Sequence, residues 1–74
     1  MTNTSKIEFR LTGEHVSLCD LLKLAGVATS GGQGKALVAS GEVRVDGKVE
    51  IRKTAKIRAG QEVECQGATI VVTG

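Results

Sequence analysis

Tryptophan and tyrosine are absent from this 74-residue chain, and Phe9 is its single aromatic. Phe9 alternates with polar residues in an apolar strand pattern and is expected in the core. With no exposed aromatic to stack on, base-by-base reading of a single-stranded nucleic acid is disfavoured. Histidine occurs once, at His15, ahead of the first helical pattern, where an exposed or half-exposed ring is expected. No Ser/His/Asp or Cys/His grouping can be drawn around it. Asp20, Asp46 and the glutamates fall in caps, turns and outward strand positions, so no catalytic constellation is left and an enzyme is not expected. Cysteine occurs twice, at Cys19 and Cys65, without CxxC spacing. That excludes a disulfide framework and a four-ligand zinc site, and leaves two buried thiols in a reducing compartment. No metal or cofactor is expected. No apolar run approaches the length of a membrane span, and the opening MTNTSKIEF has no apolar signal core. A soluble, cytoplasmic protein with no membrane partner is therefore expected.

What is present is one small domain's worth of chain, 1–74, in which most aliphatic residues must be buried for a core to form at all. Met1 to Ser5 are expected to be frayed. The net charge is only +2, but it is unevenly placed. Residues 1–43 hold four basic and four acidic groups; residues 44–58 hold six basic groups and two acidic; residues 59–74 hold only Glu62 and Glu64. The basic run is Arg44, Lys48, Arg52, Lys53, Lys56 and Arg58. One positive segment in an otherwise neutral chain is the footprint of a surface for a polyanion.

The hydropathy pattern changes period along the chain. Ile7, Phe9 and Leu11 alternate with Glu8 and Arg10, which predicts a half-buried strand. Ser17 and Asp20 have capping-box spacing, and Leu18, Leu21, Leu22 and Ala25 then share one helical face up to a C-terminal Gly26. A second start signal at Thr29–Ser30 leads to Gly34, Leu37, Val38 and Gly41 at the same spacing. Gly34 on the inward face leaves room for another backbone, and the short link predicts a helix-turn-helix-like corner. After Gly41 the period is two. Val43 and Val45 point in, Asp46-Gly47 is a type I′ hairpin signal, and Val49 and Ile51 are expected to point in again while Lys48, Glu50 and Arg52 point out. Ile57 anchors a brief extended piece. Strands over Gln61–Cys65 and Thr69–Val72 follow, after turns at Ala59-Gly60 and Gly67. The fold class is α+β, with two packed helices on a small, mostly antiparallel sheet and an N-terminal strand.

The stretch SGGQGKA invites comparison with a phosphate loop. A Walker A motif needs Gly five residues before the Gly-Lys pair and Ser or Thr after the Lys, and those positions hold Thr29 and Ala36. Two readings remain for Ser30–Lys35. Free N–H groups at Ser30, Gly31 and Gly32, with the Lys35 cation, form a helix N-terminus able to receive a phosphate. Equally, Ser30 or Thr29 simply caps the helix and the glycines relieve crowding.

From Leu18 to Lys48 the residues carry a family likeness. Leu18, Leu22, Gly26, Val27, Ser30, Leu37-Val38 and Gly41-Glu42-Val43-Arg44-Val45-Asp46-Gly47-Lys48 fall without gaps at the positions of one pattern, and Gly60-Gln61-x-Val63 follows it near the end. This unit resembles the RNA-binding domain of ribosomal small-subunit protein four, the S-four domain or αL motif, with its core at about 17–48. The chain is closer still to a small stand-alone bacterial form of that domain, in LCDLLKL, SGxQxK, GxVxVDG and EIRK. The departures are Ser17 and Gly31, where the wider family often has Arg, and Gly34, where Ala is usual.

The resemblance implies binding to a structured RNA, with ribosomal RNA or a ribosomal particle as candidate targets, by a monomer. Ser30, Gly31, Gly32 and Lys35 would seat phosphates, Gln33 would reach a sugar or base edge, and Lys23 with Arg44, Lys48, Arg52, Lys53, Lys56 and Arg58 would extend the track. The alternative is a protein–protein interaction module that kept the fold without an RNA role.

Overall fold

The computed structural model describes residues 5–74. The elements run β1 (Ser5–Arg10), β2 (Val16–Ser17), α1 (Leu18–Leu24), α2 (Gly31–Ala39), β3 (Val43–Val45), β4 (Lys48–Val49), β5 (Lys56–Ile57), β6 (Glu62–Cys65) and β7 (Ala68–Thr73). Strands β1, β7, β6, β3 and β4 lie side by side in that order, and β2 pairs with β5 separately. Within the larger sheet β6–β7, β3–β6 and β3–β4 are antiparallel, while β1 runs parallel to β7 with Ile7 opposite Ile70 and Phe9 opposite Val72. This is the expected α+β arrangement, with the N-terminal strand at one edge and the hairpin strand β4 at the other.

The period-two residues Val43, Val63, Cys65, Ile70 and Val72 give the sheet one buried face. Against it pack Leu18, Leu21 and Leu22 of α1, Leu37 and Val38 of α2, Ala28 of the link and Ile57 of β5, all in one cluster. Leu18, Leu21 and Leu22 are at 0% exposure, and burial at that level is worth roughly 1.5–3 kcal/mol per side chain. Each helix closes where the sequence signals it, on a glycine with φ of +82°, Gly26 after α1 and Gly41 after α2. The β3–β4 hairpin turns on Asp46 and Gly47 at φ +52° and +84°, both positive as a type I′ turn requires.

Three expectations are corrected. Val49 and Ile51 do not point in; they are 55% and 65% exposed. The two-residue turn sets Lys48 opposite Val45 and Val49 opposite the outward Arg44, so Val49 faces the open side of the sheet, and Ile51 lies beyond the end of β4. The Ser17–Asp20 capping box is not formed. Ser17 is the N-cap, but its hydroxyl donates to Asp20 Oδ2 at 2.7 Å, while the Leu18 and Cys19 N–H groups go to backbone carbonyls of the basic segment. Phe9 is half-buried and packs against the rim of the core, since β1 is an edge strand. Of the segment expected to fray, residues 1–4 lie outside the described residues, and Ser5 is the first residue of β1, in register with Ala68.

Candidate nucleic-acid interface

The first N–H groups of a helix have no partner within it and must find one elsewhere. In α1 they find the chain that carries the basic run. Leu18 N–H donates to the Ala55 carbonyl at 2.9 Å, and Cys19 N–H donates to the Lys53 carbonyl at 3.1 Å. Alongside, the β2–β5 pair sets Val16 opposite Ile57 and Ser17 opposite Lys56, with Ile57 buried beneath. Segment 53–57 is thus fastened to the start of α1, and the exposed side chains of Lys53 and Lys56 stand beside it. Arg52, Thr54, Ala55 and Lys56 line a shallow open depression of about 350 Å³.

The second helix arrives at the same place. A Cβ on Gly34 would lie 2.8 Å from the Cys19 carbonyl oxygen, so the α1 and α2 backbones meet there at a distance only glycine permits. Cys19 therefore joins both parts: its N–H holds Lys53 and its carbonyl lies against Gly34. At the N-terminus of α2, Ser30 Oγ accepts the Gln33 N–H at 3.1 Å. Gln33 Oε1 reaches back to accept both the N–H and the hydroxyl of Thr29. This is a capping box displaced by one residue. It leaves the N–H groups of Ser30, Gly31 and Gly32 without an acceptor among the described residues. Gly31 and Gly32 add no side chain over them, and Lys35 is exposed one turn further on. Ser30 therefore caps the helix, and the three N–H groups before Gln33 have no acceptor among the described residues.

The remaining cations are dispersed. Arg52 is engaged by Glu50, with Nε to Oε2 at 3.1 Å and Nη2 to Oε1 at 3.2 Å. The guanidinium and the Arg52 N–H hold the Glu50 carboxyl below its ordinary pKa. Arg44 lies on the opposite, open face of the sheet. Period two places it across from Glu64 on β6 and Val49 on β4, and it shares a shallow recess with Glu42 and Glu64. Lys48 is exposed on the edge strand, Arg58 is exposed just past β5, and Lys23 is exposed in the last turn of α1. The structure gathers Lys53, Lys56 and the open end of α2 around Cys19, and it does not bring Arg44 to them.

Sequence reasoning missed the β2–β5 pair, which is too short to show a period. It also missed the role of Asp46 and Gln61. Asp46 Oδ1 accepts the Glu62 N–H at 3.0 Å and Asp46 Oδ2 accepts from Gln61 Nε2 at 3.2 Å. These bonds hold the Asp46 carboxyl below its ordinary pKa, the Glu62 N–H contributing most. The Ser30-x-x-Gln33 spacing was a readable signal for the α2 cap.

Two helices crossed at a glycine, followed by a hairpin and a strand-capped first helix, define a class that comparison with known proteins identifies. The S4 domain family model matches residues 9–73, and the chain belongs to that family. Within it, the chain is similar to the Escherichia coli (strain K12) protein named "Putative RNA-binding protein YbcJ", at 55% identity over 58 residues, 78% of this chain and 83% of that one. A YbcJ of Shigella flexneri, described as uncharacterized, matches to the same extent. The solution structure of YbcJ from E. coli, described as revealing an αL motif involved in RNA binding, superposes with a TM-score of 0.72. There the identity is 48%, over 100% of this chain and 92% of that chain. Among the described residues no helix is long and apolar enough to cross a membrane.

Proposed function

We propose that this protein is a non-catalytic, cytoplasmic, single-domain module that binds structured RNA as a monomer, with ribosomal RNA or a ribosomal particle as its target. The observation that carries this reading is the junction at Cys19, where the open N-terminus of α2 and the Lys53–Lys56 segment are held on one residue. Three free backbone N–H groups donate to phosphate oxygens, and Lys35, Lys53 and Lys56 supply the compensating charge. Gln33 keeps its Nε2 donor for a sugar or base edge while its oxygen is used in the cap. Lys23, Lys48 and Arg58 extend the track, and Arg52 joins it on release from Glu50. Arg44, on the far face, is the outlier of the basic run. Family membership and the RNA-binding descriptions of the YbcJ proteins support the same reading. With no exposed aromatic platform, recognition is of phosphate spacing and helical shape.

The test is fluorescence anisotropy with a labelled RNA hairpin and a single strand of equal length, each at two salt concentrations. The wild type is expected to prefer the hairpin and to weaken with salt by about 0.7–0.9 log unit of affinity per log unit of salt for each phosphate contacted. The triple variant K35E/K53E/K56E is expected to lose the binding, and R44E to keep it. Equal, weak binding to both RNAs, unmoved by the triple change, refutes the proposal and points to a protein partner.

A further inference from the structure

The basic segment leaves the sheet after the β3–β4 hairpin and returns to it at β6. Its base is closed by one side chain. Gln61 Oε1 accepts the Arg58 N–H at 2.7 Å, and Gln61 Nε2 donates to Asp46 Oδ2 at 3.2 Å. The other Asp46 oxygen accepts the Glu62 N–H at 3.0 Å, and the Asp46 N–H donates to the Glu62 carbonyl at 2.8 Å. The backbone adds Gln61 N–H to the Arg58 carbonyl at 3.2 Å. The amide can sit only one way round. Flipped, its NH₂ would face the Arg58 N–H and its oxygen would face the Asp46 carboxylate. Residues 47–57, which carry Lys48, Arg52, Lys53 and Lys56, are the excursion between the two ends that this amide ties together. The middle of the excursion is tied to α1 through Lys53 and Ala55.

We propose that Gln61, acting through Asp46 and Arg58, is a positioning residue for RNA recognition: it clasps the base of the basic excursion so that its cations keep one spacing in the free protein. The inference rests on the RNA-binding reading and adds to it a residue that touches no nucleic acid. A clasp of this kind raises affinity by removing an ordering cost that a loose loop would bear on binding.

Donor and acceptor chemistry sets the test. D46N places a second NH₂ against the Gln61 NH₂, or else gives up the Glu62 N–H. Q61E sets one carboxylate against another. The exchange D46N/Q61E restores every bond. The oxygen of the new amide at position 46 accepts the Glu62 N–H, and its NH₂ donates to one oxygen of the new carboxylate at position 61. The other oxygen of that carboxylate accepts the Arg58 N–H. Each single variant is expected to bind the RNA hairpin roughly three- to tenfold more weakly than wild type, and the exchange to return within about twofold. Net charge alone predicts something else, since D46N removes a negative charge and would tighten binding while Q61E would loosen it. Affinities are read at a temperature where melting curves show all four proteins folded, and the salt slope is measured for each.

Opposite effects of the two single changes, or wild-type affinity in both, overturn the clasp while leaving the RNA reading intact. The same holds if the exchange fails to recover affinity although it is folded. A wild type that shows no salt-sensitive preference for the hairpin overturns both.

Discussion

Gly34 is the position where the packing makes its sharpest demand, and Gly34→Ala tests it. Two effects oppose each other. Alanine in place of glycine inside a helix is worth about 1 kcal/mol in propensity. Against this, the new Cβ would sit 2.8 Å from the Cys19 carbonyl oxygen and 3.6 Å from its carbonyl carbon and Cα. Those are backbone atoms, and the Cys19 N–H is itself held by Lys53, so no rotamer change can relieve the contact. Overpacking of this kind costs roughly 1–3 kcal/mol. The net expectation is a loss of about 1 kcal/mol and a fall in Tm of about 4–8 °C for a domain of this size. Gly32→Ala is the matched control, because a Cβ there meets only Ser30 Oγ at an ordinary 3.8 Å; it should gain the propensity term and raise Tm. Urea and thermal melts of the three proteins decide the matter. If Gly34→Ala stabilises as Gly32→Ala does, the helices are not in backbone contact, and the Cys19 junction on which the proposed RNA surface rests fails with them.

Further predictions concern the cap, the thiols and the acid limb. Ser30→Ala removes the acceptor for the Gln33 N–H and should cost about 1 kcal/mol in urea melts, with Ser30→Gly recovering most of it. Cys65 is buried, and burial, with Glu42 adding to it, raises its thiol pKa. Native protein should therefore react with a thiol reagent at pH 8 only as fast as it opens, and fully once denatured. The Asp46 carboxyl has a lowered folded pKa, so its contribution to stability is complete above the ordinary carboxylate value and is lost as pH falls through the lowered one. Melts of wild type against D46N between pH 6 and pH 2 should show a difference that is constant near neutrality and closes at the acid end.

Most of the fold was legible because the chain signals its elements twice, by period and by punctuation. Leu18, Leu21 and Leu22 occur at helical spacing before Gly26, and all three are fully buried. Gly34, Leu37 and Val38 repeat the device before Gly41, and Val43, Val63 and Ile70 show the switch to period two. Legibility ended where an element is too short to have a period. The alternation Val49, Ile51 reads as a strand with an inner face, yet the sheet stops at Val49 and both side chains face solvent. The two-residue pair β2–β5 has no pattern, but it carries Lys56 to α1. A run of six cations was equally plain as composition, but its division between two faces was not, because β3 turns Arg44 to the far face of the sheet.

The two arginine positions at which the chain departs from the wider family acquire a physical sense from these short elements. Ser17 stands directly opposite Lys56 in the antiparallel β2–β5 pair, and residues so opposed carry their side chains to the same side a few ångströms apart. Gly31 is followed at i+4 by Lys35 on the same helical face. On the RNA-binding reading, each missing cation is supplied from one strand or one helical turn away. At position 17 an arginine would disturb packing, because Ser17 is half-buried beside the segment that caps α1, whereas Gly31 stands beside the open α2 donors with free space around it. Restoring the arginines should then have unequal effects. Arginine at position 31 adds charge beside open donors and leaves the packing untouched, since a Cβ there meets nothing within 4 Å. Arginine at position 17 must displace the contacts of a half-buried serine. S17R should therefore lower Tm and G31R should not, while G31R tightens binding to the RNA hairpin. An equal fall in stability for both would mean that the relocation of charge has no structural basis.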